Sequence, residues 1–580
     1  MPAADSDAIR SLRRCRRPGP AVAGRRPVYT PPVTAPTTGE PGRAYDVIIA
    51  GGGLAGHCLA RQLQSEHADL RVAVIEKRTY PVPEAAFKVG ESTVEIGAHY
   101  FSHVLALESH CDDEQLEKLG IRYFFTAGDN RDITARVELG PVSFPPVRSY
   151  QIDRGRLENT LARLNREAGI DVIEGTQVRD IRLSPAGHEV TLERRGATSE
   201  IAGRWFVDAT GRAATVKRRL GLRRDVRHHC NAVWFRVRER LRVDDWSTDP
   251  AWRARVPTGL RWLSTNHLMG KGYWVWLIPL ASGSTSVGIV ADAAIHPFAS
   301  MNRLERAMAW LRRFEPQCAD TIAACEDRIE DFLALSHYAY ASDRVFSPER
   351  WCLTGDAGVF TDPLYSPGSD FIGIANDMIC ELVSLDRRGG DVASAAEGFN
   401  RYYLLMFQAV LRVYEGQYSI MGNGRVMSAK VCWDNASYWS VTAPLYFHRK
   451  YRDLPFLESV EHVMRRFFIV HARMQTFLRR WDQRTHPEYR HAFLNLLDID
   501  FMAPLQAALL VHDDDEALRA RLDRNVTDLE RRALDFFALA DTAEDDGASA
   551  EDRRLVPMFR RRFGPPNLPD HSSATSVLNS

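Results

Sequence analysis

YDVIIAGGGLAGHCLARQLQ, Tyr45 to Gln64, runs from an apolar strand through a glycine turn into a helix. Gly51, Gly53 and Gly56 fit the pattern GxGxxG, with Ala55 inside it. In such a turn the first glycine permits the tight bend, the second lets a phosphate reach the backbone, and the third seats helix against strand. The helix N-terminus supplies a positive pole for a pyrophosphate. A second apolar strand, LRVAVIEKR, ends on Glu76, at the distance where a carboxylate accepts ribose hydroxyls. Strand, turn, helix, strand and acid in this order predict a Rossmann-like dinucleotide-binding unit.

The rest of the chain sets the bounds. Its 580 residues are 45% hydrophobic and 26% charged, enough for a large core and more than one structural unit. Lysine plus arginine (75) equals aspartate plus glutamate (75), which gives no basic argument for nucleic acid. No apolar run is long enough for a membrane helix. The nine cysteines stand singly, a pattern of reduced thiols in a cytoplasm. Residues 1–44, rich in Arg and Pro, are predicted to be a disordered tail. From 391 to 540 apolar residues recur at helical spacing, as in VEHVMRRFFIVHARMQTFLRRWD. Its aromatics, including Trp433, Trp439 and Tyr446, either cap a cavity or pack helices together. Residues 541–580 read as a linker and flexible tail.

Two later segments bear on which dinucleotide is bound. RWFVDATGRAATVKRRL carries Asp208, Thr210 and Gly211 after an apolar run, and RWCLTGDAGVF carries Gly355, Asp356 and Ala357. They resemble the second and third fingerprints of the FAD enzymes related to aromatic hydroxylases. That resemblance implies FAD, with Asp356 at the ribityl hydroxyls and the helix after Gly368 aimed at the flavin ring. The expected fold class is α/β (α+β overall): an FAD-binding unit with an inserted mixed β-sheet substrate region over 45–390, then a helical C-terminal cap. No second nucleotide fingerprint is present for NAD(P)H, so the electrons are expected from a separate flavin reductase.

GYWVWLIPLASG, Gly272 to Gly283, sets Trp274 and Trp276 two positions apart, on one face of a strand. The pair is either core filling or a wall. Over Tyr45 to about residue 390 the chain is similar to the flavin-dependent halogenases. WVWLIP fits that family's WxWxIP. KVGESTVEIG, from Lys88, is similar to its flavin-side segment, KLGIRYFF, from Lys118, to its lysine-bearing strand, and DPLYSPG, ending at Gly368, to its Asp/Glu-Pro-Leu-x-Ser-x-Gly turn.

The resemblance implies that reduced FAD and oxygen turn a halide ion into hypohalous acid. Trp274 and Trp276 would keep substrate from flavin, Lys118 would deliver the oxidant, and Ser366 would belong to the halide turn. Glu91 would brace the flavin-side loop, and Arg154 would approach the cofactor. Lys88 is the rival lysine. The substrate would be an electron-rich aromatic of secondary metabolism (phenol, pyrrole or indole type), free or on a carrier protein.

Two departures fall in one turn. Free-tryptophan halogenases have a glutamate where Tyr365 stands, and tyrosine is a poor base near neutral pH. Pro367 follows Ser366 and has no N–H for a halide. Asp370, just beyond, either disfavours an anion or bonds the backbone at the helix start. The alternative is therefore an FAD monooxygenase or oxidase lacking a working halide site, with a non-catalytic flavin-binding partner behind it. His99 and His103, and His228 with Cys230, read as ordinary histidines and cysteine rather than metal ligands.

Overall fold

The computed structural model describes residues 44–84, 89–483 and 493–541. The Arg-rich N-terminal segment, Lys88 and the segment beyond 541 lie outside the described residues.

The first strand, Ala44–Ala50, is almost wholly buried. Its β-branched run suits a strand covered on both faces. It lies between Val72–Glu76 and the long strand Ala197–Asp208, parallel to both. Asp171–Glu174 extends this sheet on one side. On the other, Trp351–Leu353 runs parallel to Phe206–Asp208, while the beginning of the long strand turns back against His188–Arg194. The three fingerprint loops thus leave neighbouring strands at one edge, where ligands of α/β sheets bind.

A second, mostly antiparallel sheet of eight strands holds the tryptophan pair. Tyr273–Pro279 is buried along its whole length, between Thr265–Gly270 and Thr285–Asp292. Alternation divides its side chains between two cores. Trp274, Trp276 and Ile278 join the core shared with the dinucleotide-binding unit. Tyr273, Val275 and Leu277 join a second core with Trp252 and Trp310.

Beyond this sheet come the helices Gly368–Arg387, Val392–Arg412, Gly424–Ser437, Glu461–Asp482 and Asp515–Asp541. Within the region expected to be helical, Phe493–Leu494 instead adds a parallel strand beside Glu138–Leu139 of the substrate sheet. A two-residue pairing has no periodicity to betray it. No helix among the described residues is long and apolar enough to cross a membrane.

Gly56 fixes how closely the first helix, Leu54–Glu66, approaches its strand. A Cβ there would lie 2.0 Å from the carbonyl oxygen of Gly51. Because that neighbour is backbone, it cannot turn aside. Gly56→Ala is expected to cost about 2 kcal/mol, the usual scale of overpacking. Its check is the denaturant midpoint of the variant against the parent at unchanged slope.

Candidate active site

Two cavities of about 550 Å³ each meet near the turn Asp362–Gly368. The first opens over the fingerprint loops and counts Gly51, Gly53, Ala55, Glu76, Gly211, Asp356 and Gly368 among its lining residues. Gly51 has φ +108°, and a Cβ on it would lie 2.3 Å from the Ala209 oxygen. A Cβ on Gly53, by contrast, would meet nothing within 4 Å. That open face at a helix start is room for a phosphate.

Glu76 accepts the Gly52 N–H at 2.8 Å and the Arg78 N–H at 2.9 Å, leaving lone pairs for a ribose. Asp356 is pushed towards its neutral form by burial, against the charges of Arg212, Arg154 and Lys217. Arg154 begins the helix Arg154–Glu167, where it donates to the Val89 carbonyl and to Glu158 at 2.8 Å. Its Nε is buried without a partner among the described residues. These groups fit FAD.

Asp208 is arranged differently. Its oxygens accept Thr210 N–H, Thr210 Oγ1–H and Val216 N–H, so it shapes the loop and leaves Thr210 and Gly211 to line the cavity. Glu91 is likewise a brace. Its Oε1 accepts Arg236 Nε at 2.7 Å, tying the loop to the substrate sheet.

Trp274 and Trp276 line the same cavity, their ring centroids 5.6 Å apart. Trp274 Nε1 donates to Tyr418 Oη at 2.9 Å. Tyr418 donates in turn to Asp362 Oδ2, which also takes Tyr338 Oη–H at 2.6 Å and contacts His228 Nε2 at 2.7 Å. Wall and turn are thus one hydrogen-bonded unit. His228, Cys230 and Asp362 place their polar atoms within 4.8 Å of one another, so His228 and Cys230 pack against the turn at Asp362. His99 and His103 instead stack on each other at 4.7 Å, with Phe447 against His99.

The second cavity is mostly apolar and lies among the C-terminal helices. Pro367 and Phe371 belong to both walls. Lys118 precedes the strand Ile121–Phe125 rather than lying on it, and is 1% exposed. Its Nζ donates to Ser92 Oγ at 2.9 Å and the Thr93 carbonyl at 2.8 Å, both on the dinucleotide side. The acids acting on it, Glu95 and Asp370, line the helical side. Burial lowers the ammonium to about 7, despite the pull of those acids. Burial also raises Asp370 to about 8, although Tyr438 Oη–H and Gly97 N–H both bond it. Asp370 therefore bonds a backbone N–H of another helix, Glu95–His99, and not the start of its own, which has no side-chain cap.

Ser366 has φ +57°, and its N–H closes the turn onto the Pro363 carbonyl at 2.9 Å. Ser369 Oγ is buried and has no hydrogen-bond partner among the described residues.

A family model described as an FAD binding domain matches residues 44–283. A flavin-dependent halogenase of Dictyostelium discoideum is 26% identical over 435 residues, 69% of this chain and 70% of that one. The chain is an FAD-binding relative of the flavin-dependent halogenases. A 1H-pyrrole-2-carbonyl-[peptidyl-carrier protein] chlorinase of Pseudomonas fluorescens is 27% identical over 346 residues, 56% of this chain and 72% of that one. In fold, the crystal structure of halogenase PltM superposes with a TM-score of 0.59 at 17% identity, covering 84% of this chain and 96% of that one. CmlS, a flavin-dependent halogenase, gives 0.51 at 19%, covering 90% and 77%.

Several polar groups of this halogenase relative carried no local signal. Glu95 accepts Trp439 Nε1 at 3.0 Å and Gln506 Nε2 at 2.6 Å, partners more than three hundred residues away. His267, 1% exposed, lies beside Trp274 at 5.0 Å between centroids, and its Nδ1 has no partner among the described residues. It stands in an unremarkable strand sequence, TNHLMG.

The burial of Lys118 makes a pH signature. The native ammonium loses its proton near 7 and the ordinary lysine near 10.5, so the unfolded chain holds the extra proton between them. Stability conferred at this site rises with pH across that window and is flat below it. Against Lys118→Met, the parent is expected to gain about 1.4 kcal/mol per pH unit from pH 7 towards 10. Paired denaturation curves at stepped pH check it.

Proposed function

We propose that this protein halogenates an electron-rich aromatic, using a halide, oxygen and reduced FAD supplied by a flavin reductase in a cytoplasm. The observation that carries the reading is the placement of Lys118. Its buried amine bonds Ser92 and Thr93, on the wall of the cavity that holds the two tryptophans, and feels Glu95 and Asp370, on the wall of an apolar cavity large enough for an aromatic molecule. When bound, reduced FAD with oxygen supplies the oxidising power that turns halide into hypohalous acid.

The chain's own residues do the rest. Trp274 and Trp276 bar a ring-sized substrate from the cofactor. The amine of Lys118, lowered to about 7, has a neutral fraction able to accept a hydrogen bond from hypohalous acid or to take its halogen. Gly51, Gly53, Ala55, Gly56, Glu76, Arg154, Gly211, Asp356 and Gly368 form the cofactor's cradle, with Asp208 and Glu91 supporting its loops.

Pro367 withdraws one donor from the halide turn, but Gly368 and Ser369 N–H remain at a helix start and the Ser369 hydroxyl is unpartnered. Burial pushes Asp370 towards its neutral form, which lessens the negative charge it would set against a halide. Both points support a working halide site over a monooxygenase. The pyrrole chlorinase among the relatives, whose name gives a carrier-bound pyrrole, supports an aromatic substrate.

The test supplies FAD, a flavin reductase, NADH, oxygen and bromide to the purified protein with a panel of phenols, pyrroles and indoles. The expected product is a bromine isotope doublet that survives catalase. Lys118→Ala is expected to lose it by at least about 100-fold, while still consuming reduced FAD. Addition of one oxygen atom without bromine would instead identify a monooxygenase.

A further inference from the structure

The position where free-tryptophan halogenases keep a glutamate holds Tyr365, whose hydroxyl is already directed. Tyr365 Oη donates to Asp434 Oδ2 at 2.9 Å. Asp434 lies on the helix Gly424–Ser437, and both side chains line the helical cavity. The carboxylate is held from two further sides. Lys430 Nζ reaches Oδ2 at 2.8 Å, and Gln475 Nε2 donates to Oδ1 at 2.6 Å. Gln475 Oε1 in turn accepts Lys430 Nζ at 2.7 Å, closing a buried ring of polar contacts. Close by, Tyr123 Oη is fully buried without a partner among the described residues, in the field of the same carboxylate.

A buried polar network in an apolar cavity wall is costly unless every member is satisfied. Here the satisfied members point one way. The tyrosine's proton is committed to Asp434, so its oxygen offers only lone pairs to the cavity. Such a group receives an O–H and gains nothing from an ether or a hydrocarbon. We propose that the substrate is a phenol whose ring hydroxyl donates to Tyr365, and that Asp434, acting through Tyr365, takes the hydroxyl proton during halogen transfer.

The proposal rests on the halogenase reading for its oxidant, hypohalous acid. As the carbon–halogen bond forms and the oxygen–halogen bond breaks, the ring hydroxyl proton passes to Tyr365 and Tyr365's own proton passes to Asp434. The released hydroxide then takes the ring C–H proton as aromaticity returns. Asp434 returns its proton along the same path, leaving halophenol and water. Tyr365 touches the substrate, and Asp434 is the positioning residue and proton store behind it. Burial and the neighbouring carboxylate keep the Tyr365 hydroxyl well above the ordinary phenol range, so it works as a neutral relay.

The test separates recognition from turnover. Binding of 4-nitrophenol and of 4-nitroanisole to the full-length flavoprotein is measured by absorbance titration, with Asp434→Asn and Tyr365→Phe beside the parent. Expected is a parent that prefers the phenol, and variants that bind it about tenfold more weakly with the ether unchanged, consistent with loss of one hydrogen bond. Asp434→Glu is expected to restore part of the preference. A parent that holds both probes equally, or variants that weaken both alike or neither, overturns the proposal. If Asp434→Asn does not fold, Tyr365→Phe alone decides it. Binding needs no halide, so this result stands apart from the bromide test. Where bromination is observed, phenol turnover is also expected to fall about 100-fold in Asp434→Asn, and an unchanged kcat on the phenol would overturn the proton-accepting role.

Discussion

Trp276 can lie across the neighbouring strand only because position 288 is glycine. The two are directly opposed in register, and a Cβ on Gly288 would sit 2.1 Å from the indole. That vacancy lets a bulky ring lie flat in a sheet that is packed on both faces. The alternation of Tyr273–Pro279 then sends every second side chain to a different core. A wall built this way is rigid at both ends. Its other tryptophan is tied through Tyr418 to Asp362, and so to the turn that divides the two cavities.

Electrostatics follow from the same partition. Lys118, Glu95 and Asp370 are all buried, and for each the loss of water outweighs attraction to its partners. All three are therefore pushed towards neutrality. The proposed delivery of a small electrophile by Lys118 draws on this, since an uncharged amine is the nucleophilic form. The polar ring around Asp434 is instead closed by hydrogen bonds from a lysine, a glutamine and a tyrosine.

The dinucleotide-binding half was legible because its constraints are local. Gly51 needs a positive φ and Gly56 a bare Cα, and both requirements fall within six residues of one another. The tryptophan pair was legible as a wall but ambiguous in purpose, since period-two alternation says which residues share a face and not what lies beyond it. Asp208 shows the limit of reading by fingerprint. The motif marked its position, while its hydrogen bonds turn it to its own loop. Asp434, Glu95 and His267 had no motif at all.

By itself the sequence determined the strand–turn–helix cradle, the position of the tryptophans on one face, and the helical character of the C-terminal segments. Each of these depends on contacts or periodicities within a few residues. Only the tertiary structure decided that Lys118 is buried with neighbours on the walls of both cavities, that Asp362 fastens wall to turn, and that Asp434 reaches Tyr365 across 69 positions of chain. Such meetings are set by how sheet and helices pack. No spacing along the chain encodes them.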